Sequence, residues 1–175
     1  RVKYDKIYAM NLSDKQDTEL LFGRDDPNRF CSYSTFMQVN RLFGEIALRA
    51  KRSSGLAMTG LKREAMIELI MHEVGHTLGL NHNMKASQLL SRQELNDKSK
   101  TSTGGLTGSV MDYATINVTK DRSQQGNYYS TAVGPYDVWA IQFGYTPFDN
   151  KSEMDALLAR STEPQLVFGN DADDM

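Results

Sequence analysis

All three histidines in the 175 residues stand within one stretch, His72-Glu73-Val74-Gly75-His76-Thr77-Leu78-Gly79-Leu80-Asn81-His82. Residues four apart on an α-helix project from one face, so His72 and His76 can aim their imidazoles at a common point from one rigid element. Glu73 lies about 100° around the axis from His72, beside that point but outside the ligand pair, where it suits a base better than a ligand. Gly79 stands where the helix must stop if His82 is to reach the same point, because glycine takes the left-handed conformation without a Cβ penalty. Three nitrogen ligands leave the fourth corner of a tetrahedral Zn²⁺ open to water, as catalytic zinc requires and structural zinc does not.

Such a site needs a packed element beneath it. The helix is predicted to start near Thr59 or Gly60 and to carry Leu61, Ala65, Leu69, His72 and His76 along one stripe, so that its apolar residues anchor the imidazoles. Before it, Val39, Phe43, Ile46 and Ala50 follow Phe36 at helical spacing. That predicts a helix capped by Ser34 or Thr35 and ended before Gly55, with this stripe as its core face. Val2, Tyr4, Tyr8, Met10 and Leu12 alternate with mostly polar neighbours, which reads as a strand over 2–12, followed by a polar surface connection over 13–33.

After His82, residues 83–90 show no clear break. Residues 91–109, rich in Lys, Ser, Thr and Gly, read as the longest loop and a candidate border of a substrate cleft. Farther on, Pro135 suits a first helical turn, Tyr136, Trp139, Ala140 and Phe143 a packing face, and Gly144 a stop. Ser152-Glu153-Met154-Asp155 reads as the capped start of a short helix carrying Met154, Leu157 and Leu158. The acidic end, 170–175, reads as a solvated tail in preference to a calcium site.

A chain of this length fits one domain, residues 1–175, with 146–175 as a C-terminal extension. Hydrophobic residues make up 39% and charged residues 24%, ordinary for a globular protein. The net charge is −2 with Lys and Arg scattered, which points away from nucleic acid or an anionic membrane as partner. No apolar run reaches the roughly 20 residues of a membrane span. The chain opens at Arg1 with neither an initiator methionine nor an apolar leader, which reads as a fragment or a processed product. Cys31 is the only cysteine, so no internal disulfide forms. It reads as a small, partly buried side chain, since no surrounding motif supports a latent thiolate ligand for the zinc.

Downstream stands Ser109-Val110-Met111-Asp112-Tyr113. The long histidine motif followed by Ser-x-Met-x-Tyr resembles the metzincin superfamily of zinc peptidases. The resemblance implies that Met111 lies in a turn beneath the metal-binding imidazoles, and that Tyr113 lies near the metal and can hydrogen-bond the tetrahedral intermediate. A buried structural tyrosine is the alternative at that position. The runs 72–87, 109–113 and 134–145 are similar to a bacterial group of large, exported, zinc-dependent metzincins, and a related arrangement occurs in the enzymatic subunit of some bacterial AB-type toxins. The likeness spans roughly residues 31–145.

The fold it implies is α+β: a metzincin-like zincin catalytic domain, mainly helical here, with its sheet at the start of the chain or N-terminal to it. Typical metzincins place several strands between an early long helix and the zinc-binding helix, whereas here only residues 56–60 separate the two expected helices. The function it implies is a zinc-dependent metalloendopeptidase, with Zn²⁺ on His72, His76 and His82, a zinc-bound water activated by Glu73 as general base, and protein or peptide substrates. It also implies export, to the periplasm, the cell surface or the medium. Two alternatives stay open: a zinc hydrolase of non-peptide amides, and a peptide- or glycan-binding surface module with a vestigial site.

Overall fold

The computed structural model describes residues 31–170. The strand expected over 2–12 and the residues of the acidic end beyond 170 lie outside the described residues, and among those described none is in a strand. Two long helices open the described part, α1 (Tyr33–Ala50) and α2 (Gly55–Thr77). Between them Arg52 takes a left-handed conformation at φ 52°, so that Ser53 N–H reaches Leu48 O and Arg52 N–H reaches Arg49 O. This closes α1 with the six-to-one and five-to-two pattern usually reserved for glycine. Ser54 caps α2, its hydroxyl accepting from Ala57 N–H, so the helix starts at Gly55, four or five residues ahead of the expected Thr59 or Gly60.

The core face of α1 differs from the expectation. Tyr33, Met37 and Leu48 are buried, whereas Val39, Phe43 and Ile46, the stripe read as core, are 65%, 61% and 58% exposed. The helix carries two apolar stripes on opposite sides, and periodicity alone does not say which of them meets the rest of the fold. Its N-cap is Ser32, ahead of the expected Ser34 or Thr35. On α2 three residues of the expected stripe, Leu61, Ala65 and His72, are buried together with Glu68 and Gly75, while Leu69 and His76 are half-buried.

Two apolar clusters sit along α2. One gathers Tyr33, Met37, Leu48, Leu61, Ala65, Ile116 and Tyr129. The other gathers Leu80, Val110, Met111, Tyr136, Ala140 and Leu166. Glu68, 3% exposed, accepts from Ser130 N–H, and burial pushes its carboxyl up to about 8, so it is largely neutral at pH 7.

Residues 91–109 are not the open loop their polarity suggested. They contain α3 (Arg92–Leu95), with a Ser91/Glu94 capping box, and α4 (Lys98–Gly104), capped by Asp97. Thr101, Thr107 and Ser109 within or beside these turns are buried. Next come α5 (Pro135–Tyr145) and α6 (Lys151–Ala159), the first starting at the expected Pro135 and running one residue past Gly144. Asn150, not Ser152, caps α6, and Trp139 Nε1–H donates to Leu157 O to tie the two helices together. No helix among the described residues is long and apolar enough to cross a membrane.

Candidate metal centre

The end of α2 delivers the histidines. Leu78 is its C-cap and Gly79 follows at φ 86°, with Leu80 N–H bonded to Gly75 O and Gly79 N–H to His76 O. A left-handed residue with these two bonds reverses the chain within three residues and satisfies the last carbonyls. Asn83, fully buried just after His82, holds the returning segment from two sides. Its backbone N–H donates to Met111 O at 3.0 Å, while its side chain donates to Val167 O and accepts from Gly169 N–H.

The imidazoles of His72, His76 and His82 cluster, with ring centroids 4.8 Å apart for His72–His76 and His76–His82 and 5.4 Å for His72–His82. His72 Nδ1 lies 2.7 Å from Val110 O and His76 Nδ1 lies 3.1 Å from Leu80 O. A carbonyl only accepts, so both Nδ1 atoms donate, and in the neutral imidazole this leaves the lone pair on Nε2. Backbone carbonyls thus fix the tautomer that a divalent ion needs. His76 Nε2 is buried without a hydrogen-bond partner, and Tyr33 stacks on the His72 ring at 4.0 Å. Glu73 is exposed on α2, one residue round from His72.

Beneath the imidazoles lies the turn at Val110 and Met111. Met111 is fully buried, and a Cβ on Gly75 would meet its sulfur at 2.3 Å, so the absence of a side chain at 75 is what lets the thioether lie against α2. Asp137, at the third position of α5, binds this turn. It accepts from the Ser109 hydroxyl, from Val110 N–H at 2.9 Å and from Gly134 N–H at 2.9 Å. Burial raises the Asp137 carboxyl, and these three donors act against that. The sequence signal for this role was an acidic residue three positions after Gly134, the place from which a carboxylate reaches back to the start of its helix.

Cys31 departs from its expected bland role. Its Sγ lies 3.3 Å from His72 Nε2, 3.4 Å from His82 Nε2 and 3.4 Å from the Tyr113 hydroxyl. Burial raises the thiol, but hydrogen bonds with His72, His82 and Tyr113 outweigh it and hold the group well below the ordinary thiol range. Burial, with the Cys31 hydrogen bond, pushes Tyr113 up to about 12, so its hydroxyl stays protonated at neutral pH.

One donor atom from each of Cys31, His72, His76 and His82 falls within 4.8 Å of all the others, a group that could hold a metal ion. Nitrogen and sulfur donors in such a cluster suit zinc. A concavity of about 1220 Å³ opens beyond Tyr113, lined by residues 114–122 together with Arg92, Leu95 and Asn96, and none of the three histidines lines it.

The model of the Met-zincin family matches residues 56–175, and the chain belongs to that family. Its class is therefore that of the metzincin-type zinc metallopeptidases, and its implied cofactor is zinc. No curated protein and no solved structure matches the chain.

Proposed function

We propose that this chain is a zinc-dependent endopeptidase whose ion is held by His72, His76 and His82. The observation that carries the reading is the convergence of three imidazoles, two of them with Nδ1 tied to a backbone carbonyl, beside an exposed Glu73. Zinc bound there supplies Lewis acidity, which acidifies a water and polarises the carbonyl of the bond to be cut. Glu73 takes the proton of the attacking water and passes it to the leaving amine. Tyr113, protonated at neutral pH, donates to the carbonyl oxygen as negative charge builds on it. Met111 and Gly79 touch no substrate in this scheme: the first supports the imidazoles from below, and the second turns the chain so that His82 joins them. The substrate is protein or peptide, and the enzyme works outside the bacterial cytoplasm, a reading supported by the likeness of its motifs to exported bacterial metzincins.

The test compares the natural sequence with Glu73→Ala on casein and on a peptide library, with zinc content measured in parallel. The variant should keep its zinc and lose cleavage by about 10²-fold or more, as loss of a general base requires. Cleavage that survives both the substitution and a chelator contradicts the proposal.

A further inference from the structure

We propose that the concavity beyond Tyr113 selects an acidic stretch of the substrate polypeptide, lying to one side of the bond to be cut. The inference rests on the peptidase reading above and adds the class of sequence it takes. The concavity measures about 1220 Å³, more than the roughly 300–1,000 Å³ of a small-molecule pocket, so it has room for a length of chain. Residues 114–122 form one wall and run on directly from Tyr113, whose ring lies 4.9 Å from that of His82. A polypeptide lying in the concavity therefore leads to the imidazoles. Leu106 and Ile116, both buried, give it an apolar floor. Its rim carries charge of one sign: Arg92, Lys120 and Arg122 line it, all exposed, and Asp121 is the single acid among its described lining residues.

That acid is already engaged. Asp121 caps the short turn Arg122–Gln124, accepting from Ser123 N–H at 2.9 Å and from the Ser123 hydroxyl at 2.8 Å. The cations are not balanced in this way. Arg122 donates to the backbone oxygen of Arg52 at 3.3 Å, a neutral partner, and no carboxylate among the described residues pairs with Arg92 or Lys120. The positive strip also continues past the rim. Thr119 and Arg122 line a second cavity of about 230 Å³, where Lys51 donates to Thr119 O and the described lining residues include no acid. Lys51, Arg92, Lys120 and Arg122 against Asp121 make a local reversal of sign in a chain whose net charge is −2. One exposed cation contributes little to a pairing, but several around one cleft draw in and hold an anionic chain. A small anion has no use for the floor of Leu106 and Ile116, whereas a polypeptide brings carboxylates for the rim and apolar side chains for the floor.

The test separates binding from cleavage. A short fluorescein-labelled peptide in which Glu alternates with apolar residues is titrated into the full chain carrying Glu73→Ala and followed by anisotropy, beside the same peptide with Gln in place of every Glu. The Glu peptide should bind about tenfold tighter at low salt, and the margin should collapse as NaCl is raised to about 0.5 M. Lys120→Glu combined with Arg122→Glu should reverse the order, so that a Lys-containing peptide binds better than the Glu peptide, which a mere loss of fold does not produce. In the zinc-loaded natural sequence the same pair of substitutions should raise KM for a Glu-containing substrate about tenfold with kcat little changed. Equal affinity for the Glu and Gln peptides, a margin insensitive to salt, or a charge swap that leaves the order intact overturns the acidic preference and leaves the three-imidazole peptidase standing. A Glu peptide that binds as expected but is never cut by the zinc-loaded natural sequence overturns the peptidase reading instead.

Discussion

The region below the imidazoles and the region in front of them are built differently. Below, Met111 and Ser109 are fully buried, and Asp137 gathers the Ser109 hydroxyl and two backbone N–H groups onto one carboxylate. In front, Cys31 and Tyr113 are half-buried, Ser32 is exposed, and their mutual contacts are 3.4–3.5 Å. Short, buried, charge-assisted bonds resist rearrangement, whereas long, partly solvated contacts exchange cheaply. The floor holds the three imidazoles in place, and the side chains in front of them are held more loosely.

Damage to the floor should therefore cost stability, and damage to the front should cost only chemistry. The largest effect is expected from Asp137→Ala, which strands the buried Val110 and Gly134 N–H groups and should lower unfolding free energy by about 3 kcal/mol in denaturant titration. Gly75→Ala should come next. Its Cβ collides with the Met111 sulfur, and overpacking of this kind costs about 1–3 kcal/mol, with zinc affinity falling as the imidazoles shift. Tyr113→Phe should move stability by less than about 0.5 kcal/mol, since it keeps the ring and removes one partly solvated hydroxyl. Its turnover on peptides should nevertheless drop by about 10²-fold with KM little changed, as expected for an oxyanion donor. A Tyr113→Phe protein that unfolds like Asp137→Ala would erase the distinction between the two regions.

The same contrast explains what could be read in the sequence. Helix geometry brought His72, His76 and Glu73 together on the page, because their spacing is shorter than one helical turn or equal to about one. Gly79 carried the turn that returns His82, since few other residues accept φ 86°. Cys31 was not legible in the same way: it lies 41 residues from His72 in sequence and reaches it only because α1 folds back onto α2. On α1 the pattern offered two apolar stripes, Tyr33/Met37/Leu48 and Val39/Phe43/Ile46, and tertiary packing buried the first. The α3 and α4 turns are too short to show an apolar period, although the Ser91-x-x-Glu94 box marked a helix start that the polar composition concealed. Gly75 reads in sequence as one of the two variable positions between His72 and His76, and only contact with Met111 shows that it admits no side chain.

The measurement closest to the central claim is the zinc content of the purified full chain beside that of His82→Ala, the variant that removes the one ligand contributed from beyond the helix. The account predicts one zinc per natural chain, and for His82→Ala an affinity reduced by at least 10²-fold with the helical fold retained. Equal zinc content and affinity in the two proteins would mean that the three imidazoles do not share an ion, and the metal centre described above would be wrong.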